Sequence, residues 1–439
     1  MPASGKYGAA RMTSFLPELF ASMYKDLNAG QEAAMKLLHG ENNVFVTGGA
    51  GTGKSYLMKQ YLKGTDRDLI PVLASTGAAA VLIGGRTIHS FFGLGILEGG
   101  PHATLDRALK DRRVVRRLKK ANAIVIDEVS MIPGIVLAVA ERIACEARKS
   151  DKPWGGIKII AVGDFAQLPP VNRFSNQKDW AFMGSVWKRS QFQYVELKEV
   201  MRAQEDQHYC EVLSDIRRGE LSDRVKQMLE DRSADSAYEF PHATVLYARK
   251  MDVDRINMAK LSELPGREES FESEYVGPEQ YLKTLKKNSP VPEVLKLKEG
   301  AFVMIRQNDP RGRWVNGSLG YVRGCSKEEI SIELVSGRDV EISKTSFSYL
   351  DADGKEVASA KNFPLSLAWA VTIHKAQGAT LDRAVVSIRG LWEPGQAYVA
   401  LSRVRSASTI LIDGWDEKSI FADPQVKAFH EYLDSQIGL

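Results

Sequence analysis

The residues best suited to chemistry sit in two short stretches, "GGAGTGKS" at 48–55 and "IVIDEVSM" at 124–131. The first has the spacing G-x-x-x-x-G-K-[ST], met by Gly48, Gly53, Lys54 and Ser55. Its glycines let the backbone N–H groups of Gly49, Ala50, Gly51, Thr52 and Gly53 curl around the phosphates of a nucleoside triphosphate. A helix starting at Lys54 would aim its positive end at the same oxygens. Lys54 is expected to reach the β and γ oxygens, and Ser55 to ligate Mg2+. Asp127 and Glu128 close an apolar strand. There Asp127 would hold the Mg2+ shell, partly through water, and Glu128 would orient and deprotonate the attacking water. Paired acids at a strand end are otherwise an ordinary loop cap. Their company with the phosphate loop favours the catalytic reading.

Further groups follow from the same chemistry. Gln167, in "AVGDFAQLPPV", lies just past a strand, where an amide can hydrogen-bond the γ-phosphate and report its presence. Hydrolysis also needs positive charge at the departing γ-phosphate. Arg202 in "LKEVMRAQ" and Arg403 in "YVALSRVRS" are the candidates. Both lie outside the first α/β unit, so they would act across an interdomain cleft as arginine fingers. A plain surface arginine is the alternative for each.

These groups must be held by a sheet. "NVFVTG" (43–48), "PVLAST" (71–76), "NAIVIDE" (122–128), "KIIAVGD" (158–164) and "QYVEL" (193–197) are near-continuously apolar, as buried parallel strands are. "GKSYLMKQYL" and "IPGIVLAVAERIACEARK" between them carry apolar residues at helical spacing. The alternation predicts a doubly wound α/β domain. "ATVLYAR" (243–249), "RAVVSIRG" (383–390) and "STILIDG" (408–414) predict a second such unit. From about 290 to 362, short strands separated by Gly, Asn and Ser turns predict a small antiparallel barrel inserted into it.

Composition excludes some classes. No stretch approaches the ~20 apolar residues that cross a bilayer, so no membrane partner is expected. The start "MPASGKYGAARM" lacks the apolar core of a secretory signal. Three cysteines, Cys145, Cys210 and Cys325, are too scattered for a disulfide framework or zinc site and suggest a reducing compartment. The net charge of +4 decides nothing, but "RALKDRRVVRRLKK" (107–120) sets eight basic residues against one acid. It is either a solvated helix face or a support for a displaced strand or duplex flank.

Taken in order, "LNAGQEAAM", "GGAGTGKS", "LASTGAAAVLIGGRTIHSFFGLG", "IDEVSM", "GDFAQLPPV", "LKEVMRAQ", "VNGSLGYV", "LAWAVTIHKAQGATLD" and "YVALSRVRS" closely resemble the helicase motifs of superfamily 1B. Specifically, they resemble the petite-integration-frequency (Pif) family of 5′→3′ DNA helicases. "DKPWGGIKIIAVGD" is similar to the end of that family's signature segment. The resemblance covers about residues 26–415. It implies two RecA-like P-loop domains with ATP between them, at 26–200 (1A) and 201–439 (2A). A wedge subdomain at 93–115 (1B) would meet the duplex fork, and the barrel at about 290–362 (2B) would be of Src-homology type.

The resemblance also implies that Gln31 reads adenine, that Gly378 contacts the nucleotide from the second domain, and that Arg202 and Arg403 are the arginine fingers. The long N-terminal extension of some members is not expected. The implied cofactors are ATP and Mg2+. The implied partners are single-stranded DNA, 5′-tailed forks and G-quadruplexes, in replication, repair, recombination or telomere maintenance. A monomer is expected, working inside the cell: in the cytoplasm of a bacterial or viral host, or in the nucleus or mitochondrion of a eukaryote.

A motor on a single strand needs phosphate grips in both domains and flat side chains for bases. Ser75, Thr76 and Gly77 in "STGAAA" and His89, Ser90 and Phe91 in "TIHSFF" are the expected contacts in the first domain. Phe92 is expected to point inward. Thr372, His374 and Lys375 in "TIHKAQG" are the expected contacts in the second. Two rival readings remain at this stage, an RNA or RNA–DNA hybrid helicase, and a single-strand binding module with a fossil nucleotide site.

Overall fold

Strand β1 (Val44–Gly48) is buried along its whole length, and its side chains alternate between two cores. Val44 and Val46 join the core formed by Ala34, Met35, Leu38, Leu57 and Met58, whereas Phe45 faces the core that holds Phe92, Leu137 and Phe165. An apolar strand without polar alternation needs cover on both faces, and helices supply it here. The computed structural model describes residues 26–75, 80, 85–95, 97, 100–170, 178–201, 206–233, 240, 242–288, 292–309, 311–350 and 356–437.

The other strands around β1 are β2 (Val72–Ala74), β3 (Arg86–Thr87), β4 (Ala123–Ile126), β5 (Lys158–Val162) and β6 (Gln193–Leu197). They form one parallel sheet in the order β3-β2-β4-β5-β1-β6. Because β4, β5 and β1 are neighbours, the segments leaving their carboxyl ends converge. These are Asp127–Glu128, Asp164–Gln167 and the phosphate loop. Such an edge is where parallel α/β sheets bind ligands.

A second parallel sheet follows the order Ala370–Thr372, Thr244–Tyr247, Ala384–Ile388, Ile410–Trp415. Between its strands the chain makes antiparallel sheets running from Glu269 to Leu367, which extends the expected limits of the insertion at both ends. A five-stranded and a two-stranded sheet share a core of Phe271, Leu297, Val303, Ile332 and Phe363, and a three-stranded sheet packs separately around Ala358 and Ala360.

The chain then crosses back. The last helix, Pro424–Ile437, follows the second sheet but lays Phe429 against the first. Phe429 stacks on Phe182, with centroids 4.3 Å apart and planes at 10°, and also meets Phe45, Phe165 and Trp187. At 8% exposure its ring contributes about 1.5–3 kcal/mol of burial to holding the last helix on the first sheet.

Candidate active site

The phosphate loop turns on Gly51 (φ +81°) and Gly53 (φ +87°). Gly53 also admits the Gln31 side chain, whose Nε2 would lie 2.4 Å from any Cβ there. The helix Lys54–Tyr61 starts at this point, as its sequence predicts. Lys54 Nζ donates to the Gly48 carbonyl at 2.7 Å and the Gly49 carbonyl at 3.0 Å, which holds the ammonium inside the loop's curve. Burial pulls this ammonium below its usual range, and the nearby Asp164 and Glu128 carboxylates oppose that. Gln31 is itself fixed: Asn28 Oδ1 accepts from the Gln31 N–H, and the Gln31 side chain accepts in return from the Asn28 N–H. This capping box sets the Gln31 side chain beside Thr52, whose carbonyl is 3.5 Å from Gln31 Nε2.

Asp127 Oδ1 accepts from the Glu128 N–H at 3.0 Å, and Glu128 occupies the left-handed region (φ +50°, ψ +47°). That conformation costs a residue with a Cβ of order 1 kcal/mol, and here it turns the carboxylate towards the loop side of the sheet. Burial, and then the charge of Asp127, push the Glu128 carboxyl up to about 7, while Lys54 and Arg403 pull it down. Burial also raises Asp127, against the Glu128 N–H and Lys54. Two crowded carboxyl groups beside one lysine suit a hard divalent cation. The exposed Ser55 side chain in the first helical turn could supply another oxygen donor. No cluster of three or more His, Cys, Asp or Glu that could hold a metal exists among the described residues. Mg2+ bound through one or two protein oxygens plus substrate phosphates fits that donor set.

The second lobe completes the site. Gln377, next to Gly378 (φ +77°), places Nε2 3.2 Å from Gln167 Oε1 and 3.4 Å from Glu128 Oε2. Tyr398 accepts from the Ala50 N–H in the phosphate loop at 2.6 Å. Neither was singled out from the sequence. For Gln377 the available signal was its place beside Gly378 in "HKAQG". Arg403 is 2% exposed and turned onto its own lobe. Its guanidinium donates to the carbonyls of Val399 (2.6 Å), Ala376 (3.2 Å) and Ala379 (3.3 Å), bracing the segment that carries Gln377 and Gly378. Arg202, the other expected finger, lies outside the described residues, as do Thr76 and Gly77.

One expected base contact is corrected. Phe91 is 2% exposed and packed edge-on against Phe92, with the Arg117 guanidinium over its ring at 5.1 Å, so it offers no face to a base. Arg117 also donates to the Ser90 carbonyl at 2.8 Å, so part of the basic run ties down the helix Ile88–Phe92. Phe92 is fully buried, as expected. Ser75, His89 and Ser90 are half-buried. Thr372 is 8% exposed, and its hydroxyl accepts from the Lys375 N–H at 3.2 Å, capping the helix Ile373–Ala376 that exposes His374 and Lys375. Neighbouring atoms strip water from the Lys375 ammonium and lower its proton affinity, and the Arg306 and Lys250 charges add to this. The Asp254 carboxylate opposes them.

A phosphate loop at the edge of one parallel sheet, met there by side chains from a second, marks a two-lobed P-loop protein. The pattern of the PIF1-like helicase family matches residues 26–227. The chain is 49% identical over 409 residues to the ATP-dependent DNA helicase Pif1 of Bdellovibrio bacteriovorus, covering 93% of this chain and 92% of that one. It spans less of its vertebrate relatives, 65% of the Xenopus laevis ATP-dependent DNA helicase PIF1, with 34% identity and 94% of this chain covered. Bacteroides sp. Pif1 in complex with ADP-AlF4 superposes with a TM-score of 0.81 at 31% identity, covering 93% of this chain and 97% of that one. The Bacteroides protein in complex with ADP-AlF3 and single-stranded DNA matches over the same shares, at the same 31% identity, with a TM-score of 0.67. The chain belongs to the PIF1-like helicase family.

Proposed function

We propose that this ATP-dependent DNA helicase moves 5′→3′ along single-stranded DNA and opens forked duplexes by closing and opening its two lobes around ATP. The observation that carries the reading is the seam: Gln377 of one lobe reaches Glu128 and Gln167 of the other, and Tyr398 reaches the phosphate loop. Lys54 and the loop N–H groups hold the phosphates, Glu128 takes a proton from the attacking water, and Gln167 senses the γ-phosphate. Ser55 and Asp127 would hold Mg2+, which when bound would supply positive charge to the phosphate oxygens. Gln31 and Gly378 flank the nucleotide, and Arg202 and Arg403 supply charge from the second lobe.

Ser75, Thr76, Gly77, His89 and Ser90 in one lobe, and Thr372, His374 and Lys375 in the other, follow the strand. Residues 93–115 meet the fork. G-quadruplex unwinding belongs to the same proposal, as does a place of work inside the cell. Turnover of ATP with matched dT and rU oligonucleotides tests the reading. A many-fold stimulation by DNA over RNA is expected. Equal or greater stimulation by RNA points to an RNA motor, and no stimulation by either removes the motor.

A further inference from the structure

The helix Ile373–Ala376 ends at Gln377, so one short segment carries both the expected DNA contacts and a side chain that enters the ATP site. The Gln377 NH2 is the end that faces Glu128, and it donates to Glu128 Oε2 at 3.4 Å. The same NH2 donates to Gln167 Oε1 at 3.2 Å. With its oxygen taken, Gln167 has only its own NH2 to offer, and that is the polarity a phosphate oxygen requires. Gln377 Oε1 is buried with no partner among the described residues, beside the carboxylate assigned as base. Arg403 holds the segment from both sides, through the Ala376 and Ala379 carbonyls.

From this geometry we infer that Gln377 is a positioning residue for hydrolysis: from the second lobe it orients the base Glu128 and the sensor Gln167. The inference rests on the proposed motor function. It makes lobe closure, set by the grip of His374 and Lys375 on the strand, the event that assembles the hydrolytic groups. When the lobes part, both Gln377 hydrogen bonds break and the base and sensor lose their common reference.

The test is Gln377→Met, which keeps length and removes both hydrogen-bonding ends. With saturating dT oligonucleotide, kcat for ATP should fall about tenfold or more, the scale of losing hydrogen bonds to a charged group. KM for ATP, the Kd for the oligonucleotide and the unfolding temperature should hold. Affinity for ADP with aluminium fluoride should fall in parallel with kcat, while affinity for ADP alone does not, a split that a merely structural role would not produce. In a Gln167→Ala background the added loss should shrink, because one of the two bonds is already gone.

A kcat like the parent's, a loss shared equally with DNA affinity, or full additivity with Gln167→Ala overturns the inference. Should the methionine variant not fold, Gln377→Glu keeps volume and polarity but puts a second carboxylate against Glu128; normal turnover by it would likewise overturn the inference. A parent chain that DNA does not stimulate instead defeats the motor reading before Gln377 is touched.

Discussion

The Tyr398 hydroxyl, on a helix of the second lobe, accepts a 2.6 Å hydrogen bond from the Ala50 N–H, on the phosphate loop of the first. The ring is 3% exposed, and burial raises the phenol's pKa, so it remains a neutral hydroxyl at any working pH. This amide of the phosphate loop is therefore held by the opposite lobe.

Tyr398→Phe should lower the stability of the nucleotide-free protein by about 0.5–1.5 kcal/mol, the net worth of one hydrogen bond. Urea unfolding measures this. Saturating ADP should shrink the difference, because the Ala50 N–H then has a phosphate to bind. A difference unaffected by ADP would mean that this amide does not serve the nucleotide.

Arg217 joins Asp164 at 3.1 Å and Glu196 at 2.8 Å, with the Asp164 side chain fully buried. Burial alone would raise the Asp164 carboxyl; Arg217, and then Lys54, bring it below its usual range. Arg217→Met strands that charge and should cost about 3–5 kcal/mol in chemical denaturation. Adding Asp164→Asn should restore much of the loss. A cost below about 1 kcal/mol would mean that water relaxes the pair as it does at a surface.

His430, on the last helix, is pushed down to about 4 from 6.5, by burial first and then by Arg217, although Asp164, Glu196 and Asp434 pull the other way. Its Nε2 has no partner among the described residues. The unfolded chain therefore binds the proton more readily. The neutral ring's contribution is complete above pH 6.5 and is lost as pH falls towards 4. By linkage the loss approaches about 3 kcal/mol. His430→Leu should flatten that part of the stability curve, and thermal melts across the window read it. Parallel curves for parent and variant would contradict the assignment.

What the sequence made legible was what is local. The phosphate loop, Asp127–Glu128 and Gln167 each follow an apolar strand, and a strand end next to glycine or acid needs no distant partner to be read. Phe91 was misread because the group that covers it, Arg117, belongs to another helix, and an aromatic pair looks the same whether one ring or both point inward. The strand Ala370–Thr372 escaped notice because three residues carry too little pattern. The return of Phe429 to the first sheet and the reach of Gln377 to Glu128 are contacts between segments far apart in the chain. Only the fold brings them together.

Unwinding of two forks by the intact chain with ATP, one fork with only a 5′ single-stranded tail and one with only a 3′ tail, bears most directly on the account. The 5′-tailed fork should come apart while the 3′-tailed fork stays paired, and Lys54→Ala should open neither. Opening of the 3′-tailed fork alone, or of either fork by Lys54→Ala, would contradict it.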